Sequence, residues 1–295
     1  EKVPGVRVVI TRENGPKNRF GGNVKDQCWF ASDGFVRHVG EAVAVVAAET
    51  LEAAEAARDA IKVKYEVLEP VVNILDSRDG KTLAVHEDWK ELTLGPGADK
   101  NVIARFEKEM GDPDGGFAEA DRIFEHTFST PRTHAAYIEP HACMAEAGAD
   151  GKVTVWATTQ DAWSIRSGIA DALGMPGNKI RVIPTEIGGG FGAKLQSTIE
   201  HIAALLALRT GESVRMEMTR EEDHHSIPPR HPHFFNIRTG VKNDGTIVAR
   251  EVDVTMDHGA YGRGAPFQCQ SKMVMASCSY RIPNVRVRAC TVYTN

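Results

Sequence analysis

Thr185-Glu186-Ile187-Gly188-Gly189-Gly190-Phe191-Gly192-Ala193-Lys194 is the stretch on which the reading of this chain turns. Four of the five positions 188–192 are glycine. Lacking a Cβ, such residues permit positive φ and leave backbone N–H groups open to close approach by a ligand. A β-like run, Lys179–Ile183, precedes the glycines. A periodic run follows, with Leu195, Ile199, Ile202 and Leu206 on one helical face and Thr210-Gly211 as its stop. A helix beginning just after exposed N–H groups favours an anion. The stretch is therefore expected to form a backbone cradle for a phosphorylated or oxyanionic ligand. The plainer alternative is a strand-to-helix turn without a ligand, but three successive glycines exceed what a turn requires.

Two familiar cradles are tested by counting positions. A Walker A loop, G-x-x-x-x-G-K-[ST], would place Ala193 where its second glycine belongs and Leu195 where Ser or Thr must hold magnesium. It fails twice. The dinucleotide fingerprint G-x-G-x-x-G/A is formally met by Gly188, Gly190 and Ala193. Yet Pro184, Thr185 and Glu186 separate strand from glycines, no βαβ alternation is expected on either side, and only Glu212 and Glu217 stand near the acidic position. A Rossmann-like nucleotide-binding enzyme stays as a rival reading.

Upstream of the glycines, Asp121–Thr130 and Val153–Thr158 read as strands, and Asp161 can cap a helix presenting Ile165, Ile169 and Leu173 before Gly174 ends it. Downstream, Ser213–Met218 is a further strand. Glu221-Glu222-Asp223-His224-His225 and Pro228–His233 put four histidines beside three carboxylates, but no H-x-x-x-H helix pattern is present, so a structured loop is expected. Phe234–Thr239 and Ile247–Met256 form a hairpin through Asn243-Asp244-Gly245. Gly259, Gly262 and Gly264 mark a loop before a last strand, Val285–Val292.

Nearer the start, Val6–Ile10 reads as a strand and Ala42–Ala47 as a buried strand. Thr50 can cap a helix carrying Leu51, Ala54, Ala57 and Ile61 on one face, and Lys62–Val67 alternates like a half-wet strand. Three segments are expected: a small α/β unit over 1–79, a surface connector over 80–100 (its loop opening at Asp76), and a second unit over 101–295. His86, Glu87, Asp88 and Trp89 in the connector read as a solvated acidic turn.

Composition excludes several classes. The net charge is 35 − 40 = −5 with no basic block, which speaks against nucleic acid as a partner. No apolar run approaches the roughly 18 residues a membrane helix needs. Five scattered cysteines, an odd count, argue against a disulfide framework and for a reducing, cytoplasmic setting. No C-x-x-C pair occurs, so the segment is not expected to hold an iron–sulfur cluster or structural zinc itself. The opening Glu1-Lys2-Val3-Pro4-Gly5 and the stop after Val292-Tyr293-Thr294-Asn295 suggest a piece of a longer chain.

With Thr158-Thr159-Gln160 ending a strand ahead of it, Gly188-Gly189-Gly190-Phe191-Gly192-x-Lys194 resembles the molybdenum hydroxylases: xanthine dehydrogenase, aldehyde oxidase and the aerobic carbon monoxide dehydrogenase large subunit. The resemblance extends to His38-Val39-Gly40-Glu41-Ala42-Val43-Ala44, Ala53–Ala57, Tyr137-Ile138-Glu139-Pro140-His141, Arg230-His231-Pro232, Asp244-Gly245 and Tyr280–Asn284, in the family's order. It implies an α+β fold: a small α/β hammerhead domain, then a mixed α/β molybdenum-cofactor-binding domain incomplete at its end. It implies that Gln160 hydrogen-bonds an oxo ligand of molybdenum, and that Gly189, Gly190, Phe191 and Gly192 pack against the metal centre and pterin. The implied cofactor is molybdopterin, in the cytosine dinucleotide form. A [2Fe-2S] centre and FAD would sit on partner subunits or domains, in an oligomer oxidising a small aldehyde, N-heterocycle or related substrate with water as oxygen source.

Two departures bear on substrate. Leu195 stands where xanthine dehydrogenases carry a glutamate, and Ser271 lies about where they place an arginine, so a purine is disfavoured and both residues are pocket candidates. Asp257–Tyr261 and Val292–Asn295 resemble the carbon monoxide dehydrogenase branch, whose deciding cysteine loop would follow Asn295. The family's glutamate base lies further on, so no catalytic residue is expected in this segment. A scaffold subunit that kept the fold and lost the chemistry is the second rival.

Overall fold

The computed structural model describes residues 3–92, 94–275 and 278–295; Glu1 and Lys2, at the head of the expected first unit, lie outside the described residues. In chain order the elements are β1 (Val6–Thr11), β2 (Ala44–Ala48), α1 (Leu51–Asp59), α2 (Ile74–Arg78), β3 (Val102–Met110), α3 (Pro113–Ala118) and β4 (Arg122–Thr130). Then follow β5 (Ala142–Ala147), β6 (Val153–Ala157), α4 (Ala162–Leu173), β7 (Ile180–Pro184), α5 (Glu200–Thr210), β8 (Val214–Glu217) and α6 (Arg220–Ser226). The chain ends with β9 (His233–Val241), β10 (Ile247–Asp257), α7 (Ala265–Met275) and β11 (Asn284–Val292). The class is α+β, with mixed sheets.

The chain forms two compact units. The first gathers Glu1–Gly22, Gln27–Leu68 and His134–Pro229. It holds the antiparallel β1–β2 pair and a four-stranded sheet of order β7-β6-β5-β8. Only β6 and β7 run parallel there. They are joined by α4, so a βαβ unit does precede the glycine stretch, contrary to the expectation of none. Asp161 caps α4 by accepting from the N–H groups of Trp163 and Ser164, and Gly174 closes it at φ 62°. One face of α4 buries Ile165 and Ile169 against Val153, Val155 and Ala157. A second apolar cluster joins Ile10, Phe20, Trp29 and Phe30 to Ala172, Ile202, Leu205 and Leu206.

The second unit, Asn23–Asp26, Glu69–Thr133 and Arg230–Asn295, carries a five-stranded sheet of order β3-β11-β10-β9-β4. The β9–β10 hairpin turns through Gly245 at φ 90°, where a left-handed backbone suits glycine. Val252, Val254, Val285, Val287 and Ala289 alternate inward to make its core.

Several expectations are corrected. Lys62–Val67 alternates but makes no strand among the described residues; it is exposed and irregular, with no neighbouring strand paired to it. β2 is half-buried throughout, not buried. Within α1 only Ala57 is buried, and Leu51 faces solvent. The stretch from Asp76 onward, expected on the surface, buries Val85 and His86 in the second unit, where His86 Nε2 lies 2.7 Å from the Ala260 carbonyl. Arg220–Ser226, expected as loop, is a helix with a capping box between Thr219 and Glu222. Gly259, Gly262 and Gly264 lie in a loop as expected, and α7, which contains Ser271, follows it without having been foreseen.

The run after the glycines is the correction of most consequence. Residues 191–199 are turns, and α5 begins only at Glu200. The N-terminus of α5 therefore does not stand directly behind the cradle.

Candidate functional site

The glycine stretch and Gln160 follow the carboxyl ends of β7 and β6, two adjacent parallel strands. Ligands of open α/β sheets bind at such strand ends, where loops rather than ladders expose backbone polar groups. Both loops belong to the first unit, which makes the constellation local to it.

Gln160 is fixed by the loop it faces. Its Oε1 accepts from the N–H of Gly192 at 2.9 Å and of Lys194 at 3.3 Å, while its own N–H donates to the Lys194 carbonyl at 3.0 Å. Two backbone donors converging on one side-chain atom require that atom to be the carbonyl oxygen, which settles the amide's orientation. The amide NH2 consequently faces away from the loop, and Gln160 is exposed. Thr159 Oγ1 also donates to the Lys194 carbonyl, at 3.0 Å.

The loop itself is shaped by close approach. A Cβ on Gly190 would stand 2.4 Å from Gln160 Oε1, and one on Gly188 would stand 2.6 Å from Glu139 Cβ. Gly189 and Gly192 have φ of 99° and 96°, and Phe191 is held at φ 50° and is 68% exposed. Positive φ is uncommon for so bulky a residue and marks a constrained turn. Among the described residues, the N–H groups of Gly189, Gly190 and Phe191 donate to no atom of this chain. Three successive free donors, a fixed amide NH2 and bare glycine backbone fit a bulky, oxygen-rich group such as a pterin bearing a metal-oxo centre.

Lys194 does not contribute its charge outward. Its side chain is fully buried, with Nζ 2.7 Å from Glu139 Oε2, 3.3 Å from the Pro140 carbonyl and 4.9 Å above the centre of the Tyr137 ring. Burial would raise the Glu139 carboxyl, but bonds from Lys194 and the Gly188 N–H outweigh it and hold the group below the usual carboxylate range. Behind this pair lies a second buried network. Asp223, with no exposed surface, accepts from His141 Nδ1 at 2.7 Å and from the His141 N–H at 3.2 Å. Burial pushes the Asp223 carboxyl up, yet Tyr137 and His141 together hold it low. Burial and the Asp223 carboxylate raise the Tyr137 phenol. His134 stacks on His224 at 4.2 Å, and among the described residues no group of three or more His, Cys, Asp or Glu is arranged to hold a metal ion.

Of the residues singled out in the sequence, Gln160, Gly190 and Gly192 are in direct contact or hydrogen-bonded, with Gly189 and Phe191 in the same turn. Leu195 follows directly and is 41% exposed. Ser271 lies in α7 of the second unit, where its hydroxyl donates to the Gln268 carbonyl at 2.7 Å. Glu139 stands in one of the segments that carry the resemblance, but nothing local in the sequence signals its bond to the glycine loop. The dinucleotide-turn reading is not favoured, since turns and not a helix follow the glycines.

Comparison with known proteins agrees. Residues 94–295 match the molybdopterin cofactor-binding domain, and residues 1–69 match the aldehyde oxidase and xanthine dehydrogenase a/b hammerhead domain. A probable xanthine dehydrogenase subunit of Bacillus subtilis is 37% identical over all of this chain, which spans 38% of that protein. The nicotinate dehydrogenase large molybdopterin subunit of Eubacterium barkeri is 35% identical over 99% of the chain, which spans 66% of it. The reconstituted CO dehydrogenase from Oligotropha carboxidovorans superposes with a TM-score of 0.89 at 25% identity, over 99% of this chain and 38% of that one. The chain thus covers less than two thirds of the length of these relatives. No described helix is long and apolar enough to cross a membrane. With its hammerhead segment, its matched domain and this glutamine-backed glycine cradle, the chain belongs to the molybdopterin cofactor-binding domain family of the molybdenum hydroxylases.

Proposed function

We propose that this chain supplies one wall of the active site of a molybdenum-dependent hydroxylase that oxidises a small aldehyde, N-heterocycle or related substrate, with water as the oxygen source. The observation that carries the reading is Gln160: its carbonyl is consumed by the loop, so its NH2 is presented as a fixed donor. That donor would meet an oxo ligand, and the N–H groups of Gly189, Gly190 and Phe191 would meet acceptors on the pterin. When bound, the cofactor supplies the two-electron redox centre. The residues here bind and orient it, and none of them is assigned as the base.

Leu195 and Ser271 are proposed pocket residues. An apolar Leu195 favours a less polar substrate than a purine. The cytosine dinucleotide form of the cofactor, a [2Fe-2S] centre and FAD on partner subunits or domains, and an oligomeric assembly belong to the same proposal, as does the division into 1–79, 80–100 and 101–295. It is supported by relatives described as subunits. The five cysteines carry free thiols, which supports a reducing, cytoplasmic setting.

The test is metal and pterin analysis of the full-length protein, purified with its native partners from a host that makes the cofactor. Molybdenum and pterin in near-equal amounts are expected. Their absence overturns the reading.

A further inference from the structure

Glu139 and Lys194 lie 55 positions apart in sequence, yet one carboxylate oxygen, Glu139 Oε2, meets both ends of the glycine loop. It accepts the Gly188 N–H at 2.9 Å and the Lys194 ammonium at 2.7 Å. The Glu139 N–H returns a bond to the Gly188 carbonyl at 3.3 Å. Gly188 sits so close against Glu139 that no side chain fits between them. Lys194 is held through its main chain as well, its N–H on Gln160 Oε1 and its carbonyl accepting from Gln160 and Thr159.

We propose that the Glu139–Lys194 pair is a positioning device for the cradle. By tying residues 188 and 194 to one point, it holds the loop that carries the unbonded N–H groups of Gly189, Gly190 and Phe191 in place before any ligand arrives. Lys194 is fully buried while the Glu139 side chain is a third exposed, and such an ion pair by itself is weak evidence for a contribution to stability. This one spends its carboxylate on a loop amide and its ammonium on closing the loop, so its effect falls on preorganisation. Glu139 and Lys194 act through the loop they tie and are positioning residues. What they would position rests on the proposed function; the restraint on the loop does not.

The experiment uses the full-length protein with its native partners and compares two paired variants, Glu139→Gln with Lys194→Met and Glu139→Ala with Lys194→Met. Neither pair leaves an uncompensated buried charge. Only glutamine retains an acceptor for the Gly188 N–H. Deuterium uptake by the peptide spanning 186–195 is read in cofactor-free protein, and pterin content in cofactor-loaded protein. The alanine pair is expected to speed loop exchange about tenfold, the scale of one lost hydrogen bond to a charged group, and to lower pterin content severalfold. The glutamine pair keeps the Gly188 bond but loses the tie at residue 194, so its exchange should fall between the parent and the alanine pair, roughly threefold above the parent. If both pairs behave alike, with changes that merely follow their thermal midpoints, the positioning role is overturned. Should the alanine pair not fold, Glu139→Asp shortens the reach by one methylene and must speed loop exchange; unchanged exchange overturns the proposal. A parent protein that binds no pterin would sink the functional reading, while the exchange comparison would still decide the role of the pair.

Discussion

Replacing Gly190 by alanine puts the cradle's geometry to a quantitative test. The added methyl would stand 2.4 Å from Gln160 Oε1, 2.7 Å from its Cδ and 3.0 Å from its Cγ, and these are its three nearest neighbours. Position 190 is not among the residues with positive φ, so backbone strain plays no part. The methyl is accommodated only if Gln160 swings away, and then Oε1 gives up both the Gly192 and the Lys194 N–H. Two neutral hydrogen bonds at about 1 kcal/mol each put the loss near ~2 kcal/mol. In a Gln160→Ala background the clashing atoms are gone, and the same methyl should cost close to nothing. Urea unfolding of the cofactor-free parent, both single variants and the double variant closes the cycle, with an expected coupling of about 1–2 kcal/mol. If the two changes add to within roughly 0.5 kcal/mol, Gln160 is not seated against Gly190 as described. In cofactor-loaded protein the Gly190→Ala chain should also carry less pterin, since the swing withdraws the NH2 donor.

Gln160→Glu keeps an acceptor for Gly192 and Lys194 but presents an anion where the NH2 donor stood. It should leave the unfolding midpoint nearly unchanged and lower pterin content at least about tenfold, the scale of a charged group's unmade hydrogen bond; full occupancy would refute the assignment of that donor. In the second unit, burial pushes the His231 imidazole down to about 4 against the attraction of Asp257, with His233 and Arg132 also lowering it. A depressed histidine is neutral when folded, so its contribution is complete above about 6.5, the unfolded value, and is lost as pH falls toward 4. Up to roughly 3 kcal/mol should disappear over that window in urea titrations, and a His231→Asn chain that loses as much would contradict it.

The features legible in the sequence were those with a local cause. Asp161 and Thr50 cap their helices because a short side-chain oxygen reaches N–H groups two or three residues on. Gly174, Gly211 and Gly245 all adopt the positive φ their positions called for. What failed needed a neighbour. Lys62–Val67 has a strand's alternation, but alternation creates no ladder without a second strand beside it. The start of α5 was misplaced because positions 200–207 are buried on every side, so no wet face marks where the helix begins. The capping box at Thr219 and Glu222 was readable, yet proline-flanked histidines drew the reading toward a loop. Glu139 could not have been found: its partners lie 49 and 55 residues away, joined to it only by the fold.

The lysine that ends the glycine stretch alters what kind of ligand grip this is. In a phosphate loop a lysine offers its ammonium as a point charge to the ligand. Here the ammonium is fully buried, neutralised by Glu139 and capped by the Pro140 carbonyl; α5 begins too late to put its N-terminus directly behind the loop, and Asp161 caps the N-terminus of α4. What remains unbonded around the loop is a set of neutral dipoles: three backbone N–H groups and one amide NH2. Neutral donors discriminate by direction and spacing, whereas a point charge attracts any anion within reach. The arrangement therefore selects for the shape and acceptor pattern of its ligand over its net charge. That suits the proposed pterin with its metal-oxo group better than a nucleotide phosphate, and it follows from where one half-buried carboxylate sits.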